Sequence, residues 1–120
     1  MRRGQAIVEF ALVLPIAMAL LLGVCELARF GSHVWAADRA AYTLADWSAM
    51  HGGDIDSAAW AGVVVDELQR ADCAGQADAQ LPVGTAPGSR VVVTVRCGYV
   101  ALFVPGFARD YGSETSSVIR

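Results

Sequence analysis

The sequence contains no lysine, and its nine basic residues are arginines scattered along 120 positions. The formal net charge is −3. A chain of this kind offers no basic stripe that could follow a phosphate backbone, because nucleic-acid binding depends on clustered positive charge. We therefore expect no nucleic-acid partner.

The sequence also lacks the short motifs that carry enzyme chemistry. It has only two histidines, and neither belongs to the His-Glu-x-x-His pattern of zinc proteases. The nucleophile elbow G-x-S-x-G and the glycine-rich phosphate loops are missing too. We predict that the protein is not an enzyme and has no catalytic residues, no bound metal and no cofactor.

Cysteine is scarce, with three residues and no CxxC pair. Zinc sites need closely spaced ligand pairs, so the wide spacing disfavours one. Cys25 ends an apolar run, whereas Cys73 and Cys97 lie in the more polar half. If that half is exported, a disulfide between Cys73 and Cys97 is the simplest prediction.

Charge is missing over a long N-terminal stretch, which is the most informative absence. No charged residue occurs between Phe10 and Cys25, and residues 5–9 extend the run to about 20 residues, enough helix to span a bilayer. Arg2 and Arg3 precede the run and Glu26 follows it. Because basic flanks stay on the cytoplasmic side, we predict a single span in the inner membrane, with the N-terminus cytoplasmic and the rest outside.

A cleaved secretory signal peptide is the main alternative for this segment. Residues 17–19 match the small-residue pattern of a cleavage site. Cleavage there would leave residues 20–24, still strongly apolar, at the new N-terminus. This layout fits a signal peptide poorly, and we favour a retained membrane segment.

Glu9 is unusual because a carboxylate inside a membrane segment is costly unless it is paired or functional. The alternative is that Glu9 lies at the interface and extends into the headgroups. Two neighbours argue for a functional role, since Gly4 stands five positions earlier and Phe10 opens the uncharged run. The segment that combines these features reads Gly4-Gln5-Ala6-Ile7-Val8-Glu9-Phe10.

This segment resembles the leader of type IV prepilins and pseudopilins, which is cut on the cytoplasmic side after a glycine and leaves glutamate as the fifth mature residue. Residues 3–15, followed by a leucine-rich stretch and by residues 23–27, look more narrowly like the TadE-like family of the tight-adherence (Flp) pilus system. The resemblance covers roughly the first 45 residues.

The resemblance implies a minor pilin or pseudopilin that contributes to pilus assembly. It further implies leader cleavage by a prepilin peptidase between Gly4 and Gln5, and assembly roles for Glu9 and Phe10. The expected partners are other pilin subunits, the pilus assembly machinery, the peptidase and the lipid bilayer. Incorporation into the filament, a place at its tip and a priming role in the membrane all stay open, as does an alternative function as a single-pass anchored, extracytoplasmic interaction protein outside the filament.

Helical periodicity continues beyond the membrane run. Apolar or small residues recur at helical spacing up to Ser48, and no stop signal appears before Gly52 and Gly53. We predict a cytoplasmic leader over residues 1–4, one helix over residues 5–50 and a small extracytoplasmic domain over residues 51–120. The outer half of the helix is expected to serve both as the spine of that domain and as a seam against neighbouring subunits.

The remaining residues predict an α+β domain of the pilin-like kind. Asp54 or Asp56 is expected to cap a short helix that ends at Leu68 or Arg70. Residues 74–89 read as an exposed loop because they are rich in Gly, Ala, Pro and Gln. Residues 90–97 are the clearest strand, residues 113–119 form a second, and a turn is expected at Pro105 and Gly106. We predict a small antiparallel sheet of two or three strands packed against the helices.

Overall fold

The computed structural model describes residues 2–81 and 86–120. Helix α1 (Arg2–Met50) is followed by helix α2 (Ala58–Arg70) and by strands β1 (Ala74–Gln80), β2 (Arg90–Val100) and β3 (Ala108–Val118). The predicted architecture is confirmed, with a long N-terminal helix, a short helix and an antiparallel sheet. The predicted leader includes Met1 and the side chains of Arg2 and Arg3, which lie outside the described residues.

Helix α1 gives the molecule its elongated form, which measures 82 × 22 × 18 Å. It is 49 residues long and includes Pro15. Among the described residues it is the one helix that is long and apolar enough to cross a membrane. No residue of its apolar run from Phe10 to Cys25 is buried, whereas its second half is part of a folded core. One helix thus fits a single-pass membrane anchor and also supports the domain that its second half forms with residues 51–81 and 86–120, which we call the outer domain.

The core lies between the second half of α1 and one face of the sheet. Helix α1 contributes mostly alanines, among them Ala37 and Ala41, around the fully buried Leu44. Small side chains let a sheet approach a helix closely, so that the larger strand residues fill the space between them. Strand β2 alternates buried and more exposed positions along its length. Its buried residues are Val91, Val93, Val95, Cys97 and Tyr99.

The sheet is a simple antiparallel meander with the order β1-β2-β3. Strand β1 pairs with β2 from Ala74↔Gly98 to Gln80↔Val92. Strand β3 pairs with β2 from Arg90↔Val118 to Val100↔Ala108. The β-branched β2 therefore lies in the centre, where its apolar face is covered by α1 and its backbone is paired on both edges.

The prediction of a loop over residues 74–89 was wrong for its first half, which forms β1. The sequence of β1 has little strand propensity, but its residues pair with positions 92–98 of β2, and tertiary pairing overrides weak propensity. Within the predicted loop, residues 82–85 lie outside the described residues. Strands β2 and β3 are both longer than predicted and meet around the turn at Pro105 and Gly106.

Helix α2 starts at a different cap from the one predicted. Ser57, not Asp54 or Asp56, is the N-cap, and its hydroxyl accepts a hydrogen bond from the Trp60 amide at 3.1 Å. Asp54 instead accepts bonds from the amides of Asp56 and Ser57, at 3.2 and 3.0 Å. The Ser57 hydroxyl and these amides hold the pKa of Asp54 below its usual value. The aspartate therefore orders the turn that presents Ser57 to the helix.

Candidate functional site

The N-terminal motif lies on an open, continuous helix. Gly4 is helical, and a Cβ added to it would meet no atom within 4 Å. The Gln5 side chain donates a hydrogen bond to Glu9 Oε1 over 3.2 Å. Phe10 is 67% exposed. The structure thus leaves all four predicted motif residues free to contact a peptidase, lipid or another subunit, and their roles stay predictions.

The predicted cysteine pair is joined in the structure. Cys73 and Cys97 form a disulfide, with their Cα atoms 5.2 Å apart. Cys97 lies in the core on β2, whereas Cys73 lies in the turn between α2 and β1. The bond therefore fastens the start of the edge strand β1 to the central strand. Among the described cysteines, Cys25 is a free thiol, exposed on α1.

Gly75 allows β1 to approach β2 closely beside this disulfide. A Cβ at Gly75 would lie 1.8 Å from the carbonyl oxygen of Arg96, which is a backbone clash. No side chain can be accommodated there unless the strands move apart. The glycine therefore fixes the approach of the two strands at the disulfide.

A third cluster lies where α1 leaves its apolar run, and the sequence did not reveal it. Glu26 is only 7% exposed, although it directly follows that run. Its carboxylate accepts hydrogen bonds from the Tyr99 hydroxyl, from the amides of Leu102 and Phe103 and from the Arg29 guanidinium. The two amides bind Oε2 at 3.1 and 2.9 Å. We call this cluster the Glu26 site.

Aromatic packing surrounds the Glu26 site. The rings of Phe30 and Tyr99 meet edge to face with centroids 5.1 Å apart. The Arg29 guanidinium lies 5.8 Å from the centre of the Tyr99 ring. Burial raises the pKa of Tyr99, and its hydrogen bond to the Glu26 carboxylate raises it further. Tyr99 is therefore a neutral donor at physiological pH, suited to hold a carboxylate.

The Glu26 site was missed because its members are far apart in sequence. From the sequence alone, Glu26 is interpreted only as the acidic flank of the membrane run, and no function is assigned to the apolar residues 100–104. Apart from Arg29, the donors to Glu26 lie 73 to 77 positions after it. One signal was available in the sequence, since no charged residue occurs from Cys97 to Ala108. A second uncharged stretch in so short a domain could have been predicted to lie close to the uncharged run of α1.

Beyond these clusters, the described residues offer an open groove but no group of side chains suited to a metal ion. Within residues 2–81 and 86–120, no group of three or more His, Cys, Asp or Glu side chains could hold a metal ion. An open groove of about 880 Å³ lies between α1 and α2. It is open and is bordered by the exposed aromatic residues Trp35 and Tyr42. This groove is a surface for contacts more than a pocket for a small molecule.

Comparison with known proteins supports the resemblance found in the N-terminal motif. The model of the family described as TadE-like protein matches residues 4–46. The match covers the predicted cleavage site, the apolar run and most of the helix that supports the outer domain, and it confirms the predicted family resemblance. No curated protein and no solved structure matches the chain.

Proposed function

From the TadE-like match over residues 4–46, we propose that this protein is a minor pilin or pseudopilin that contributes to assembly of a tight-adherence pilus. A prepilin peptidase would cut it between Gly4 and Gln5, and it would act as a structural component rather than as an enzyme. The observation that carries the proposal is that one family match spans both the leader motif and the apolar helix.

The distribution of exposed side chains on α1 supports a role in lateral assembly. In the outer half, Ala37, Ala41 and Leu44 face the sheet and are fully buried, whereas Trp35 and Tyr42 are 81% and 64% exposed. The helix therefore has one face for its own domain and a second face with large aromatic area available to another subunit. Aromatic residues of this kind are enriched in protein interfaces.

The position of Glu9 supports a role that needs a partner. Its hydrogen bond from Gln5 is exposed and lies within one helical turn. A single neutral donor is weak compensation for a carboxylate in an apolar layer. Leader cleavage would create a positively charged amine at Gln5. We propose that Glu9 pairs with such an amine on a neighbouring subunit, a contact that exists only in an assembly.

A second candidate is a membrane-anchored interaction protein that stays outside the filament. The Glu26 site favours it, because this site ties the outer domain to the end of the membrane run and so fixes the domain close to the bilayer. In this case the leader would be retained, and the open groove beside Trp35 would bind an extracytoplasmic partner. The two candidates predict different N-termini for the mature chain.

Two substitutions distinguish these functions in cells that lack the native protein. Gly4→Val is expected to block cleavage and leave the full-length precursor, which intact-mass measurement detects. Gly23→Val is the matched control, since a Cβ at Gly23 also meets no atom within 4 Å. The control should be processed normally because Gly23 lies far from the cleavage site.

Glu9→Leu is expected to insert, to be cleaved at least partly and to fail in piliation. Electron microscopy of the cell surface and intact mass together give the outcome. Full piliation by Glu9→Leu at wild-type protein levels would remove the assembly role of Glu9. An intact N-terminus in the mature wild-type chain would favour the second candidate, and loss of the whole apolar run would contradict both.

A further inference from the structure

The segment that joins β2 to β3 is unusually apolar for an exposed loop. We call residues 101–107 the apolar loop. Leu102 is 67% exposed, Phe103 and Val104 are each 46% exposed and Phe107 is 41% exposed. Exposed apolar residues scattered singly need no explanation, but a contiguous group marks a binding surface for protein or membrane.

The apolar loop has a defined shape. The amide of Ala101 donates to the carbonyl oxygen of Phe107 at 3.0 Å, and the amide of Phe107 donates to that of Val104 at 3.2 Å. Gly106 adopts a φ of +76°, which suits the third position of a turn with proline at the second. Because these internal bonds and the bonds from the Leu102 and Phe103 amides to Glu26 already hold the backbone, the loop presents its apolar side chains outward without needing to fold on contact.

The Glu26 site sets the height of the apolar loop along α1. The Glu26 carboxylate binds the amides of Leu102 and Phe103 directly. Cys25 is the last residue of the uncharged run, and Glu26 lies about 1.5 Å further along the helix axis. A hydrocarbon layer of about 30 Å takes up about 20 helical residues, which is the length of the run that ends at Cys25. The loop therefore lies level with the outer boundary of the hydrocarbon.

From this geometry we infer that the apolar loop docks on the bilayer that α1 crosses, with its leucine, phenylalanine and valine side chains among the lipids of the outer leaflet. The Glu26 site holds the loop there. Membrane lipid is the occupant that the position demands, because a loop tied to the end of a spanning helix meets the headgroup layer before any other molecule. The inference rests on the anchoring part of the proposed function and adds a second point of membrane contact.

Docking would fix the outer domain relative to the membrane at two points. Helix α1 alone would let the domain tilt as the helix tilts. A loop inserted beside it would restrict that tilt, as interfacial segments do when their apolar side chains lie at the boundary between headgroups and acyl chains. The sheet, its disulfide and the aromatic face of α1 would then have a defined orientation above the membrane.

Site-specific fluorescence in lipid bilayers tests the inference with the full-length chain. In a Cys25→Ser background, a single cysteine at Val104 carries a small fluorophore, and the protein is placed in nanodiscs that contain lipids spin-labelled near the glycerol end of the acyl chain. Met50→Cys is the exposed control at the far end of α1, and Val13→Cys reports whether α1 itself is inserted. Leu102→Cys repeats the measurement in case the Val104 variant does not fold.

We expect the label at position 104 to be quenched several-fold more strongly than the label at position 50, at every protein-to-lipid ratio. Equal quenching at positions 104 and 50, with strong quenching at position 13, would overturn the docking inference and leave the membrane anchor intact. Absence of quenching at position 13 would instead refute the anchor. Quenching at position 104 that depends on the presence of several copies per disc would also overturn the inference. It would show that a second copy, not lipid, covers the loop.

Discussion

Removing the Cys73–Cys97 disulfide should cost the outer domain a large part of its stability. The two cysteines are 24 positions apart. In the chain-entropy model, closing a loop of about 25 residues contributes roughly 3.5 kcal/mol at room temperature. Small domains have total stabilities of about 5–15 kcal/mol. The loss is therefore expected to move the midpoint of urea unfolding far enough to be measured directly.

The packing of the two cysteines sharpens this prediction. Cys97 is 2% exposed in the core, whereas Cys73 is half-buried. Cys73→Ala removes the cross-link with little loss of packing. Cys97→Ala removes the same cross-link and also a buried sulfur atom. If the cross-link dominates, both single variants and the double variant should lose nearly the same stability, with a modest extra loss wherever Cys97 is replaced.

Tryptophan fluorescence of the full-length protein in nanodiscs provides the assay. The rings of Trp47 and Trp60 lie 5.8 Å apart, and Trp60 is buried, so both report on unfolding of the outer domain. Trp35 is exposed and contributes a constant background. A Cys25→Ser background prevents exchange with the free thiol. A loss below about 1 kcal/mol in Cys73→Ala would refute the reasoning, because the cross-link would then contribute little.

Three further predictions use the same assay. Gly75→Ala should destabilise the domain because its Cβ would lie 1.8 Å from a backbone carbonyl oxygen. The control Gly62→Ala, in an open helical position, should stabilise the domain by up to about 1 kcal/mol. Equal effects of the two substitutions would contradict the close approach of the strands. Asp54 has a lowered pKa, so its contribution to the stability of the domain is present above about pH 3.8 and is lost as the pH falls through its folded-state pKa. The difference in unfolding free energy between Asp54→Asn and the wild type should therefore be smallest in acid. Ser57→Ala should cost about 1 kcal/mol as a lost N-cap, and Leu44→Ala should cost about 2–5 kcal/mol as a core cavity; a larger loss from the cap than from the core would contradict both assignments.

Local signals in the sequence predicted most of the fold. Helix α1 was predicted from an uncharged run and from a long stretch without stop signals. Strand β2 followed from its β-branched residues. Strand β1 did not, because its residues AGQADAQ have no strand preference of their own and pair only because β2 offers a free edge. The prediction of a short helix was confirmed, but several polar residues near its start are suitable caps, and only the backbone geometry distinguishes Ser57.

The candidate sites divide in the same way. The predicted leader motif was recognisable because its residues, among them Gly4 and Glu9, lie close together in the sequence. The Glu26 site depends on a carboxylate and on donors from the distant end of β2, which come together only when the sheet packs on α1. A sequence pattern cannot place Tyr99 beside Glu26. It could have shown only that Glu26 follows one uncharged stretch and that Tyr99 lies within another.

The continuity of α1 links the register of the membrane span to the direction that the outer domain faces. The span and the core helix are one element from Arg2 to Met50. Inserting one residue into the run would raise everything beyond it by about 1.5 Å and turn it by about 100°. The aromatic face near Trp35 would then point in a different direction, while the domain itself stayed folded. The length of the apolar run therefore determines the direction in which the folded domain faces, and a change in that length turns the domain without altering any of its own residues.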